Sequence, residues 1–148
     1  NFNDNLGILS SISRQDITER DQQASRDAYQ AFKQLVDQFP DSKYSADARV
    51  RMDYIVNALA EYELHVARYY YRRGAFLAAA NRAQHTVREF QQTPSVEEAL
   101  YILAQSYDKL GLNDLRDDAD RVLKANYPDS RFLREGMRKR DTAWWVFW

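Results

Sequence analysis

An all-helical stack of antiparallel helix pairs is what this sequence predicts, on three observations. Its 148 residues include only four Gly and three Pro, too few breakers for a chain built of strand-to-strand turns. Apolar residues recur at steps of three and four over long stretches, the spacing of one helix face. One hexad also repeats: Phe39-Pro40-Asp41-Ser42-Lys43-Tyr44 is echoed by Tyr127-Pro128-Asp129-Ser130-Arg131-Phe132. A helix ending on a packed aromatic, a Pro that forbids continuation, and an Asp or Ser whose oxygen caps the next helix make the hexad a joint between helices.

The elements can be taken in chain order. Residues 1–23, rich in Asn, Ser, Asp and Gln, read as a polar loop entering the repeat. A helix over about 24–39 comes next, with Ala28, Phe32, Leu35, Val36 and Phe39 on its apolar face. From about 45 to 72, Met52, Ile55, Val56, Leu59, Tyr62, Val66, Tyr69 and Tyr70 keep helical spacing without a breaker, which predicts one long helix. Gly74 makes a turn, and Phe76, Leu77, Ala80, Ala83, Val87 and Phe90 line its partner over 76–91. Thr93-Pro94-Ser95 is a weaker third joint, where Ser95 with Glu98 forms a capping box. Val96, Leu100, Leu103, Ala104, Tyr107 and Leu110 define a helix over 96–110 that Gly111 closes. Leu115, Ala119, Val122, Leu123 and Tyr127 define the next, over 114–127. The second hexad then launches a capping segment, 129–148, with an aromatic tail.

Pro94 and Pro128 stand 34 residues apart, the period of a tetratricopeptide unit, whereas Pro40 and Pro94 stand 54 apart, too far for one unit and too near for two. The predicted fold is therefore all-α, a tetratricopeptide-like (TPR) α-α superhelix with one long fused helix. The helix at 24–39 is of the second type in its pair and lacks a first-type partner, so a mature fragment of a longer chain is expected.

Composition removes several function classes. With 21 basic and 22 acidic residues the net charge is −1, so no global field gathers nucleic acid. There is no Cys, hence no disulfide, Cys-ligated zinc or thiol nucleophile. No stretch approaches the roughly 20 apolar residues of a membrane span. His65 and His85 are isolated, and no phosphate loop or catalytic triad order is visible. Glu97-Glu98 and Asp117-Asp118 diverge around their helices by about 100° per residue, so neither is a paired acid. No cofactor, metal or catalysis is expected.

Four features carry a family resemblance. They are the polar stretch with Ser13-Arg14-Gln15-Asp16 and Arg20-Asp21 ahead of Ala24 to Phe32; the Phe39–Tyr44 hexad; the unbroken helix through Leu59-Ala60-Glu61-Tyr62-Glu63; and Tyr69 to Phe76 followed by Asn81-Arg82. Together, over about Gly7 to Pro128, they resemble the C-terminal half of the BamD (ComL) family, the tetratricopeptide lipoproteins of the outer-membrane β-barrel assembly (BAM) complex. The resemblance implies a periplasmic scaffold at the inner face of the outer membrane. Its implied partners are a POTRA domain of BamA and other BAM lipoproteins, with no nucleic acid. The family's acylated Cys and first repeats are missing here, which puts the lipid anchor outside this fragment. Two alternatives stand beside it: another envelope TPR scaffold of the cell-division coordinator type, and a peripheral membrane protein using its aromatic tail.

Candidate contacts come from the solenoid, whose first-type helices line a concave face. They are Leu64, Arg68, Tyr71 and Arg72 on the long helix, and Tyr101, Gln105, Asp108 and Lys109 on the helix over 96–110. Tyr and Arg are enriched at interface hot spots, while an ordinary solvated face is the competing reading. Asn81 and Arg82 are candidates for a bidentate pair with a partner carboxylate, or for an ion pair within the stack to Glu89 or Asp53. Arg14, Asp16, Glu19, Arg20 and Asp21 are candidate loop contacts, or simply solvated charges. Trp144, Trp145, Phe147 and Trp148 come after the basic Arg138-Lys139-Arg140. This tail reads as a cap on the last repeat, an interfacial membrane anchor, or a partner-binding segment.

Overall fold

In the computed structural model the backbone of residues 3–136 is described, with side chains from Asp21 onward. All the regular structure among these residues is helical: α1 (Asn3–Gln38), α2 (Lys43–Arg72), α3 (Phe76–Glu89), α4 (Ser95–Lys109), α5 (Asn113–Asn126) and α6 (Arg131–Glu135). The chain divides within α2 into two compact units, Asn1–Leu59 and Ala60–Trp148.

The first unit corrects the expected loop. α1 begins at Asn3, not near residue 24, so residues 3–23 are helical where a polar loop was expected. Asn, Ser, Asp and Gln weaken a helix by fractions of a kcal/mol each, whereas Pro, which stops one, is absent before Pro40. At the hexad the α1 carbonyls are closed by Phe39 N–H donating to the Leu35 carbonyl and Ser42 N–H donating to that of Phe39. Ser42 Oγ then accepts from Tyr44 N–H at 3.3 Å, so the Ser of the hexad caps α2. Ser45, fully buried, ties the joint by donating its hydroxyl to the Phe39 carbonyl. Phe39 itself is exposed, contrary to the packed aromatic the hexad implies.

The second unit is a helix-pair stack in which α4 packs on both α3 and α5, and α6 packs on α4. Its joints repeat atom for atom. Gly74 and Gly111 adopt φ +76° and +73°, a region open to Gly without a Cβ penalty. At each, the Gly N–H donates to the carbonyl three residues back and the next N–H to that five back: Tyr71 and Tyr70, then Asp108 and Tyr107. This is a Schellman closure. The opposite joints are keyed on Thr93 and Ser130, each donating its N–H to an aromatic three residues earlier, Phe90 or Tyr127, as Ser42 does to Phe39. From Gly74 to Gly111, and from Thr93 to Ser130, the unit measures 37 residues. The 34-residue Pro spacing is out of register with this repeat, because Pro94 stands one residue after Thr93 whereas Pro128 stands two before Ser130. Ser95 is the first residue of α4 rather than its cap, and its hydroxyl lies 3.5 Å from Glu61 Oε2, so the expected Ser95–Glu98 capping box does not form.

Small residues set the packing. Ala67, Ala79, Ala80, Ala83 and Ala99 are buried with Leu64, Ile102 and Leu103 in one cluster, so helix backbones approach closely around a few large side chains. A second cluster of Val96, Leu100 and Leu123 is covered by Tyr127 and by Leu133 of α6. Ser130 caps α6 by accepting from Phe132 N–H. Leu77, Leu110, Leu115 and Val122, expected on the apolar stripes, stay exposed. Among the described residues no helix is long and apolar enough to cross a membrane.

Leu64, expected to be an exposed contact, is 1% exposed and sits in the core. Leu64→Ala is therefore expected to lower the unfolding free energy by about 2–5 kcal/mol. The exposed Tyr54→Ala should change it by no more than about 0.5 kcal/mol. Urea denaturation followed by far-UV circular dichroism measures both.

Candidate protein-docking face

α4 is the central helix of the second unit, and along one of its faces Glu97, Tyr101 and Gln105 are half-buried and Asp108 exposed, at steps of four, four and three. The C-terminal turns of α2 run beside this stripe. Tyr71, half-buried and edge-on to Phe76 at 5.4 Å between ring centroids, lies within electrostatic reach of both Tyr101 and Asp108. Burial first, then those two neighbours, raises the Tyr71 phenol above its ordinary pKa, so it is a neutral hydroxyl at physiological pH. Tyr101 is itself stacked on Phe132 of α6, centroids 5.4 Å apart and planes at 26°. Asp108 pairs with Arg116 of α5 at 2.9 Å, and Lys109 is exposed beside it. Tyr71, Tyr101, Gln105 and Asp108 thus come together as one aromatic and polar face.

Arg68 does not belong to the exposed part of that face. Its guanidinium grips Glu98 of α4 through Nε and Nη2, both at 2.6 Å, and Nη1 reaches Glu61, about two turns earlier on α2, at 3.1 Å. The Arg68 and Glu98 side chains are only 16% and 6% exposed. Burial works against the Arg68 charge, but the hydrogen bonds and charges of Glu98 and then Glu61 outweigh it and hold the pKa above the ordinary guanidinium value. The expected partner contact is a clamp between α2 and α4. Arg72, one turn further along α2, is exposed.

Asn81 and Arg82 lie on another side. Arg82 Nη1 meets Glu63 Oε2 at 3.0 Å, an ion pair within the stack, although to Glu63 rather than to Glu89 or Asp53. Glu61 and Glu63 are two residues apart on α2 and so point about 200° apart. One faces the Arg68 clamp and the other faces α3. The Arg82 side chain is 46% exposed while its partner Glu63 is buried, which leaves the guanidinium edge at the surface.

Arg14, Asp16, Glu19 and Arg20 lie on α1 rather than in a loop, and Asp21 is exposed with its carbonyl accepting from the Ser25 hydroxyl. Trp144, Trp145, Phe147 and Trp148 lie outside the described residues. His65 is exposed, and His85 sits edge-on to Phe90. Among the described residues no group of three or more His, Cys, Asp or Glu is placed to hold a metal. The residues that sequence reasoning missed are Glu61, Glu63, Glu98 and Phe132. Each makes its contact 19 or more residues away, apart from the local Glu61–Arg68 pair, so no periodicity announces them.

The family model described as outer membrane lipoprotein, YfiO, matches residues 5–123. The chain is 48% identical over 147 residues to the outer membrane protein assembly factor BamD of Neisseria meningitidis serogroup A, covering 99% of this chain and 55% of that protein. It is 47% identical over the same length to that of Neisseria gonorrhoeae, and 37% identical over 134 residues to that of Xylella fastidiosa strain Temecula1, which is covered to 46%. The chain spans about half the length of these relatives.

The clamp makes a specific demand on stability. Arg68→Ala removes the two-pronged grip on the buried Glu98 carboxylate and is expected to cost about 3–5 kcal/mol in urea denaturation. The double variant Arg68→Met with Glu98→Leu, which removes both charges, should recover most of that loss. A loss in the double variant equal to the sum of the two single losses would show that the pair is not coupled.

Proposed function

The chain belongs to the BamD family of outer-membrane lipoproteins, and on that premise we propose that it is a non-enzymatic scaffold of outer-membrane protein assembly, acting on the periplasmic side of the outer membrane. Its task is to hold a POTRA domain of BamA and accessory BAM lipoproteins through side chains exposed on the second unit. The relatives' description as assembly factors supports the process. The single observation that supports docking is Arg82: its guanidinium is held in place by a buried Glu63 yet remains 46% exposed. An Arg whose orientation is already fixed loses little freedom on binding, and its planar fork suits a carboxylate on a partner. The face of Tyr71, Tyr101, Gln105, Asp108 and Lys109 is a second candidate surface, with the Tyr content typical of binding anchors.

The test is retention. Immobilised chain is expected to retain the POTRA domains of BamA at low salt, and Arg82→Glu to weaken that retention about tenfold or more, as loss of a paired interfacial charge does. Leu115→Ser, at an exposed site on α5, should leave it unchanged. Failure of the unaltered chain to retain POTRA domains at low salt would overturn the docking reading.

A further inference from the structure

The two ends of the second unit differ in character. Its helices alternate in direction, joined at one end by the Gly74 and Gly111 turns and at the other by the joints at Thr93 and Ser130. Tyr71 lies within electrostatic reach of Asp108, so the two Gly turns stand side by side. At this end lie Tyr69, Leu77, Leu110, Leu112 and Leu115, every exposed large hydrophobic among the unit's described residues except Val122. The turn tips read Arg72-Arg73-Gly74-Ala75 and Lys109-Leu110-Gly111-Leu112, three bases and no acid. Those of the opposite end, Gln91-Gln92-Thr93-Pro94 and Tyr127-Pro128-Asp129-Ser130, carry no base. Behind the Gly tips, Asp108 and Asp117 are paired with Arg116, and Asp114 adds one acid to the three bases in front.

Such a surface suits lipid better than a second protein. Its apolar side chains come from the ends of four helices and the turns between them, not from one continuous ridge into which another helix could pack. A fluid headgroup layer adapts to separate tips, taking Leu side chains toward the acyl boundary while bases meet phosphate. Ala75 and Leu112 hold the N-cap positions of α3 and α5 and neither provides a capping oxygen. A polar residue there would stabilise the helix, so folding alone does not account for the choice. The family is one of outer-membrane lipoproteins, which work beside a bilayer, and no described helix is able to cross one. We propose that the Gly74–Gly111 end of the second unit rests on an anionic phospholipid surface, with Leu110 and Leu112 entering the headgroup layer and Arg73 and Lys109 meeting lipid phosphates. The Arg73 guanidinium lies 5.2 Å from the centre of the Tyr69 ring, which brings an aromatic to the same level. This contact does not depend on POTRA docking.

The chain has no Cys, so a single introduced thiol carries a dye at one chosen place. Asn113→Cys, beside Leu112, and Gln92→Cys, at the opposite end, are each labelled with an environment-sensitive nitrobenzoxadiazole dye in the full chain. Both are titrated with vesicles of phosphatidylethanolamine and phosphatidylglycerol. The dye at 113 is expected to brighten about twofold or more and shift to the blue, and the dye at 92 to stay unchanged. Adding Arg73→Glu to the Asn113→Cys chain should raise the lipid concentration at half-saturation about threefold or more. Leu110→Ser with Leu112→Ser, exposed changes that should leave circular dichroism untouched, should abolish the response. An unresponsive dye at 113 overturns the lipid contact, as does equal brightening at 92 or brightening that either variant leaves intact. A response at 113 to the POTRA domains of BamA but not to vesicles would make this end a protein contact and overturn it as well.

Discussion

The second unit depends on how Arg68 is held. Its helix packing rests on alanines, which bring backbones close but offer little shape to fix one helix along another. A flat alanine contact tolerates sliding. The two-pronged grip of Arg68 on Glu98 does not, because a shift of one residue along α4 would carry the carboxylate about 1.5 Å along the axis and 100° around it. That leaves a charge of either sign in a site almost closed to water. The clamp thus supplies the register that the small residues cannot, and Glu61, which also lies near the Ser95 hydroxyl, brings the start of α4 into the same network.

The same constraint explains how much of the fold is legible in the sequence. Five of the helices can be read from apolar spacing, since burial of one face is a property of neighbours three and four apart. The Gly74 and Gly111 turns are legible for a local reason, the positive φ that each closure requires. The start of α1 is hidden by its polar composition, which signals a loop even though no Pro is there to prevent a helix. The repeat length is hidden because Pro is the conspicuous marker but not the structural one. The structural marker is the residue three after the aromatic, Ser42, Thr93 or Ser130, whose N–H closes the joint whether or not Pro precedes it.

The candidate site is less legible, for a physical reason. Helical spacing separates the faces of a helix but does not say which face a neighbouring helix will cover. Leu64 and Arg68 share one face of α2, and the arrival of α4 buries one and pairs the other. Tyr101 lies off the apolar stripe, as its spacing indicates, yet Phe132 from α6 covers part of it. For Arg82 the sequence allows both an ion pair within the stack and an exposed contact. The structure has the ion pair and leaves the group nearly half exposed.

That last combination bears on what an exposed helical face offers a protein partner. A flexible surface Arg must give up rotamer freedom when a partner engages it, a cost of about 0.5–1.5 kcal/mol for each rotamer-rich side chain. Arg82 has already surrendered part of that freedom to Glu63 during folding, and Arg116 to Asp108. Charges anchored in this way present fixed geometry to a partner. Their intramolecular pairs also discourage contacts with any partner that cannot replace or extend them, because a mismatched group would have to break an existing ion pair to dock. On the proposed docking reading, selectivity comes from pairs built during folding.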